Sequence, residues 1–72
     1  MKVKNKIKIR LNGKIVQVDN NETLQKIVKR LNLPLNKVAI ELNKKIIDKK
    51  KLNIIKLNKN DIIEVVHFIG GG

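Results

Sequence analysis

Two alternating runs flank Asn12-Gly13, with Ile7-Lys8-Ile9-Arg10-Leu11 before it and Lys14-Ile15-Val16-Gln17-Val18 after it. No other feature of the chain limits its fold so tightly. Alternation at period two marks a strand with one buried face, and both positions of an Asn-Gly pair accept the positive φ that a two-residue hairpin turn demands. A turn of that length also fixes the register, setting Leu11 opposite Lys14, Ile9 opposite Val16 and Ile7 opposite Val18. Ile7, Ile9, Leu11, Val16 and Val18 then share a core face, and Arg10 and Ile15 share the other.

The period changes in the stretch NNETLQKIVKRLNLP. Leu24, Ile27, Val28 and Leu31 stand at i, i+3, i+4 and i+7, which predicts a helix over about 23–32 with one apolar stripe. Thr23 is the expected N-cap, with Asn21 as the alternative, and Pro34 is the expected stop. Lys29 and Arg30 in the last turn suit the helix dipole. So short a helix needs a sheet to bury its stripe.

After Pro34 the period returns to two. Val38, Ile40 and Leu42 alternate with Ala39 and Glu41, and Asn43-Lys44 reads as a turn into a short Ile46-Ile47 strand. Residues 48–53 are polar and fit a loop or a single helical turn. Ile54, Ile55 and Leu57 lead to a second turn cluster, Asn58-Lys59-Asn60-Asp61. The last run, Ile62 to Ile69, is apolar on both faces, with Ile63, Val65 and Ile69 on one and Ile62, Val66 and Phe68 on the other. That is the pattern of a central strand buried on both sides.

These elements predict an α+β domain, a four- to five-stranded mixed sheet packed on one main helix. One helix covers one face of such a sheet. The second apolar face of the last strand is then either a partner surface or is covered by residues 1–6 or by the 48–57 segment. In the first case Ile62, Val66 and Phe68, with Ile69 beside them, form the candidate docking surface. The strand runs into Gly70-Gly71-Gly72. The expected division is a domain over 1–69, with 1–6 as an N-terminal extension, and a flexible glycine tail over 70–72.

Composition narrows the function. Seventy-two residues make one small domain that buries only about 60% of its unfolded surface. The absence of Cys excludes disulfides, thiolate metal sites and a cysteine nucleophile on this chain. The basic start MKVKNKIKIR has no signal-length apolar run after it, and no stretch of about 18 apolar residues could span a membrane. The expectation is a soluble intracellular protein without membrane contact, in the cytoplasm or, if plastid-encoded, in the stroma.

The 17 Lys and Arg against 6 Asp and Glu give a net charge of +11, which invites a nucleic-acid reading. The lysines are spread along the chain, however, and Phe68 is the single aromatic, so stacking platforms are missing. Lys, Asn and Ile dominate together, as an AT-rich genome would produce without selection for charge. A charge of this size favours a monomer when free, one that an acidic partner can steer in.

Side chains suited to catalysis are sparse. His67 is the only His and reads as an ordinary strand residue, without the neighbours a metal needs. There is no Ser, Thr23 is better placed as a cap than as a nucleophile, and the six acids are scattered singly. The glycine run lacks the Lys-Ser/Thr and the following helix of a phosphate loop. No catalytic residue, metal or bound cofactor is expected.

The order β-β-α-β-β with a terminal Gly-Gly resembles the β-grasp, ubiquitin-like proteins, and within them the ThiS family of sulfur carriers in thiamin biosynthesis. LNGKIVQV, VAIELNKKII and above all NDIIEVVHFIGGG carry the resemblance, from about Ile7 to Gly72. Asn60-Asp61 stands where the family usually has Gly-Asp. DKKKL after Ile47 departs from the Pro-Arg-aromatic that many members carry.

The resemblance implies a carrier rather than an enzyme. A ThiF-like enzyme would adenylate the Gly72 carboxylate with ATP and Mg. A persulfide donor would convert the adenylate to a thiocarboxylate, and the thiazole synthase ThiG would take the sulfur. Gly70 and Gly71 would thread the tail into the partner's active site, since glycine has no Cβ and accepts any φ. Two alternatives stay open. The same chemistry could serve molybdopterin synthesis or tRNA thiolation, although the prolines common before the molybdopterin tail are missing from VVHFIGGG. In a different class, a basic β-grasp module could bind RNA or an acidic protein and would be indifferent to loss of the glycines.

Overall fold

Asn12 and Gly13 take φ values of 48° and 83°, the left-handed pair of a two-residue hairpin turn. They join β1 (Lys6–Leu11) to β2 (Lys14–Asp19) in the expected register, Leu11 opposite Lys14 and Ile9 opposite Val16. The computed structural model describes residues 5–68. After the hairpin come α1 (Leu24–Arg30), β3 (Val38–Leu42), β4 (Lys45–Ile46), a 3-10 turn (Lys49–Lys51) and β5 (Ile62–His67). The five strands form one mixed sheet in the order β2-β1-β5-β3-β4, with β1 and β5 parallel and every other pair antiparallel.

Ile9, Val18, Leu24, Ile27, Val28, Val38, Ile40, Leu52, Leu57 and Ile63 make a single buried core. It lies on the helix side of the sheet, where outward and inward residues alternate as the strand period requires.

Several expectations are corrected. The helix is shorter than 23–32, and Leu31 is left 42% exposed. Asn32 enters the left-handed region (φ 53°). The amides of Asn32 and Leu33 then donate to the carbonyls of Lys29 and Val28, a Schellman closure that ends the helix before Pro34 is reached. Leu33, packed on the core, takes the place meant for Leu31.

Thr23 occupies the N-cap position, but its side chain makes no capping bond. The free amides of Leu24 and Gln25 donate instead to the carbonyls of Ile55 and Leu52. The 52–57 segment therefore caps the helix with its backbone while burying Leu52 and Leu57. The short fourth strand is Lys45–Ile46, not Ile46-Ile47, and Ile46 faces solvent. Lys6 belongs to β1, so the strand begins inside the segment expected to be an N-terminal extension.

Candidate functional site

β5 sits at the centre of the sheet, and the glycines follow its C-terminal end in sequence. Its start is fastened on both sides. Asn43, at φ 53° in the β3–β4 turn, accepts from the Ile62 amide at 2.9 Å and donates to Asp61 at 3.0 Å. The other Asp61 oxygen accepts from the Asn58 amide at 2.7 Å. On the β1 side, Asn12 accepts from the Val65 amide through Oδ1 at 2.8 Å. The hairpin asparagine thus does two jobs, bending the turn and tying β5 to it.

The strand is central but buried on one face only, which corrects the two-sided reading. Ile63 is 1% exposed, whereas Ile62 is 37% and Val66 47% exposed. Apart from Lys49, which reaches Phe68, the 48–57 segment does not cover that outer face, since Leu52 and Leu57 belong to the helix-side core. Residues 1–4 lie outside the described residues. Among the described residues the outer face is open. Val66 pairs with Ala39, and Ile62 stands beside Arg10 of β1. Lys8, Arg10, Ile15, Asn60 and Ile62 line a groove of about 300 Å³.

Phe68 follows the end of β5 and is 53% exposed. Its amide donates to the Lys37 carbonyl at 2.9 Å, and the Lys49 ammonium lies 5.6 Å from its ring centroid, within cation–π range. Lys49 also donates to the Leu35 carbonyl. The root of the tail is therefore held by the loop that enters β3 and by the 3-10 turn, a use of DKKKL that the sequence pattern did not reveal. Ile69, Gly70, Gly71 and Gly72 lie outside the described residues, so the expected roles of the docking residue Ile69 and the three glycines have no structural account.

The remaining chemistry is structural. Glu22 is buried and meets the half-exposed Arg30 at 3.2 Å, an ion pair without an aligned hydrogen bond. Lys6 and Asp19 pair at 2.8 Å. These acids border a polar hollow of about 400 Å³ lined by Asn5, Asp19 to Thr23 and Lys26, at the start of β1 and so away from the C-terminal end of the parallel β5. No three His, Cys, Asp or Glu gather as a metal site among the described residues. No helix there is long and apolar enough to cross a membrane.

Known proteins share this architecture. The ThiS family model matches residues 5–72. The sulfur carrier protein ThiS of Bacillus subtilis is 38% identical over 65 residues, covering 89% of this chain and 98% of that one. A thiazole synthase of Magnetococcus marinus is 39% identical over 66 residues, 92% of this chain. The chain spans only 20% of that enzyme's length, and the same share of a thiazole synthase of Paramagnetospirillum magneticum at 32% identity. In fold, it matches the crystal structure of the thiamine biosynthesis protein ThiS from Geobacter metallireducens with a TM-score of 0.79 at 23% identity, over 92% of this chain and all of that one. With the family pattern running from the first described residue to Gly72, the chain belongs to the ThiS family.

Proposed function

We propose that this chain is the sulfur carrier for thiamin thiazole biosynthesis and bears the sulfur as a thiocarboxylate on Gly72. One observation carries the reading: the family match extends through the glycine tail, and the Bacillus subtilis sulfur carrier is covered almost end to end. The chain acts as a co-substrate of partner enzymes and supplies its own terminal carboxylate as the reacting group.

A free carboxylate is a poor electrophile. In the first step a ThiF-like enzyme, using ATP and Mg, would join the Gly72 carboxylate to the α-phosphoryl group and release pyrophosphate. A persulfide sulfur then attacks the acyl carbon and AMP leaves. Reductive cleavage of the resulting acyl disulfide by a thiol gives –COSH. The thiazole synthase ThiG consumes that sulfur and returns the carboxylate. Glycine at 72 offers no Cβ to obstruct attack, and Gly70 and Gly71 let a thin backbone reach a recessed site. The fastened start of β5 and the held amide of Phe68 give the strand that leads to the tail a fixed base, which lowers the ordering cost of docking this end of the domain on a partner.

ThiG is supported as the acceptor by the two thiazole synthases that contain a matching segment. Their names also favour the thiazole over molybdopterin or tRNA as the destination. The partners would meet the carrier in the cytoplasm, or in the stroma of a plastid, through Ile62, Val66 and Phe68 with Ile69.

Intact mass tests the reading. After incubation with a ThiF-like enzyme, Mg-ATP and a persulfide donor, the full chain gains the mass of an oxygen-to-sulfur exchange and the chain lacking Gly72 does not. No exchange and no AMP adduct would overturn it. RNA binding that weakens steeply with salt and survives loss of the glycines would then favour the basic module.

A further inference from the structure

Glu41 of β3 and Glu64 of β5 stand directly opposite each other in the antiparallel register. Opposed residues have Cβ atoms about 4.5–5.5 Å apart, and like charges so placed repel. The other four acids of the chain all have work. Asp19 pairs with Lys6 and Glu22 with Arg30. Asp48 caps the 3-10 turn by accepting from the Lys50 amide, and Asp61 holds Asn43 and Asn58. Glu41 and Glu64 have no ion pair among the described residues, in a chain with 17 Lys and Arg.

Their neighbours across the strands are mostly apolar, with Arg10 of β1 beside Ile62 and diagonal to Glu64. Ile46 lies opposite Glu41 across β3 and β4. Val66 and Ala39 form the next outward pair along the same two strands, and Ile62 is the preceding outward residue of β5. Any partner that covers Ile62 and Val66 also covers the two carboxylates. Carboxylates removed from water without a counter-charge carry a heavy desolvation penalty, so a covering surface that brings a cation is favoured over one that does not.

We infer that the outer face is built to receive one arginine side chain of the adenylating enzyme, seated between Glu41 and Glu64 within an apolar plateau. This rests on the carrier reading, because it needs a partner over the outer face. Arginine suits the position better than lysine: its planar guanidinium carries five donors in a fixed fork and can span two carboxylates, whereas an ammonium is a compact, strongly hydrated point charge. The rest of the chain defines the partner's rim. Lys8 and Arg10 line the groove next to Ile62, and the net charge of +11 repels a basic surface. The arginine is therefore isolated, inside a border of carboxylates that face Lys8 and Arg10.

Steady-state adenylation by a ThiF-like enzyme with Mg-ATP tests this. The wild-type chain is compared with the double variant Glu41→Gln/Glu64→Gln and with Asp19→Asn, which removes one charge on β2, two strands away from β5. The double variant raises KM by about tenfold or more at unchanged kcat, while Asp19→Asn changes neither. Thermal unfolding reports whether the variants are folded; if the double variant is not, Glu64→Gln alone, at an exposed position, carries the comparison. An unchanged or lowered KM overturns the inference and leaves the carrier reading in place. A wild-type chain that forms no adenylate removes both, and that failure is recognised without any variant.

Discussion

Ile62 and Ile63 are the same residue, one position apart on one strand, and they lead different lives. Ile63 is enclosed against the helix side, while its neighbour faces outward with more than a third of its surface in solvent. The sequence of β5 gives each face two aliphatic residues, Ile63 and Val65 on one and Ile62 and Val66 on the other. What separates them is coverage: α1 and the 52–57 segment close one side, and nothing among the described residues closes the other. The inner face makes the domain, and the outer face, continuous with the root of the tail, is left for a partner. Apolar character alone therefore does not identify a core.

Four substitutions can break or sharpen that contrast. Ile63→Ala has the largest expected effect, a loss of about 2–5 kcal/mol read from the urea midpoint. A loss under about 1 kcal/mol would mean the inner face collapses around the hole and is less closely packed than the burial implies. Arg30→Ala comes next, at roughly 1–3 kcal/mol, because it leaves the enclosed Glu22 carboxylate without its cation. Arg30 itself is largely solvated, which puts the value toward the low end. Thermal unfolding with no shift would show that water replaces the guanidinium.

Ile62→Ala should change stability by only about 0.5 kcal/mol while raising the KM for adenylation. The paired measurement matters here: a stability loss near that of Ile63→Ala would put Ile62 in the core and end the two-face distinction. The smallest effect has the opposite sign. Glu41→Gln should stabilise the free domain by a few tenths of a kcal/mol, since it removes a like charge facing Glu64. A clear loss in melting temperature would mean that Glu41 supports the fold.

How much of this was legible follows the range of each interaction. The hairpin could be read because Asn12-Gly13 and its register are local. The existence of α1 was visible in its stripe, but its end was not. Asn32 turns left-handed in a closure where its own amide donates to Lys29 and that of Leu33 to Val28, and the helical stripe carries no mark of those backbone bonds. Thr23 looked like a cap, and a distant backbone segment took the role.

At the site, the glycine tail stood out because three residues without side chains follow a dense apolar run directly in the sequence. Half of the outer face was visible as the second apolar row of β5. The Glu41–Glu64 pair was not, since each acid looks solitary until β3 and β5 are aligned. The pattern VAIEL beside IIEVV held the signal, as both glutamates fall on outward positions, but only the register joins them. Lys49 gave no signal at all within a run of three lysines.

The left-handed backbone positions have a consequence for the unfolded chain. Asn12, Asn21, Asn32, Asn43 and Asn60 all adopt positive φ, with Lys44 the one other non-glycine residue to do so among the described residues. Glycine would serve at each with less strain, but it would also give the denatured chain more conformations to lose on folding. By using asparagine at its reversals, the chain keeps that entropy down in a domain too small to waste it. Gly13 is the only glycine before the tail. Glycine is thus kept out of the described body except at one turn and gathered at the three residues whose proposed chemistry requires a bare main chain.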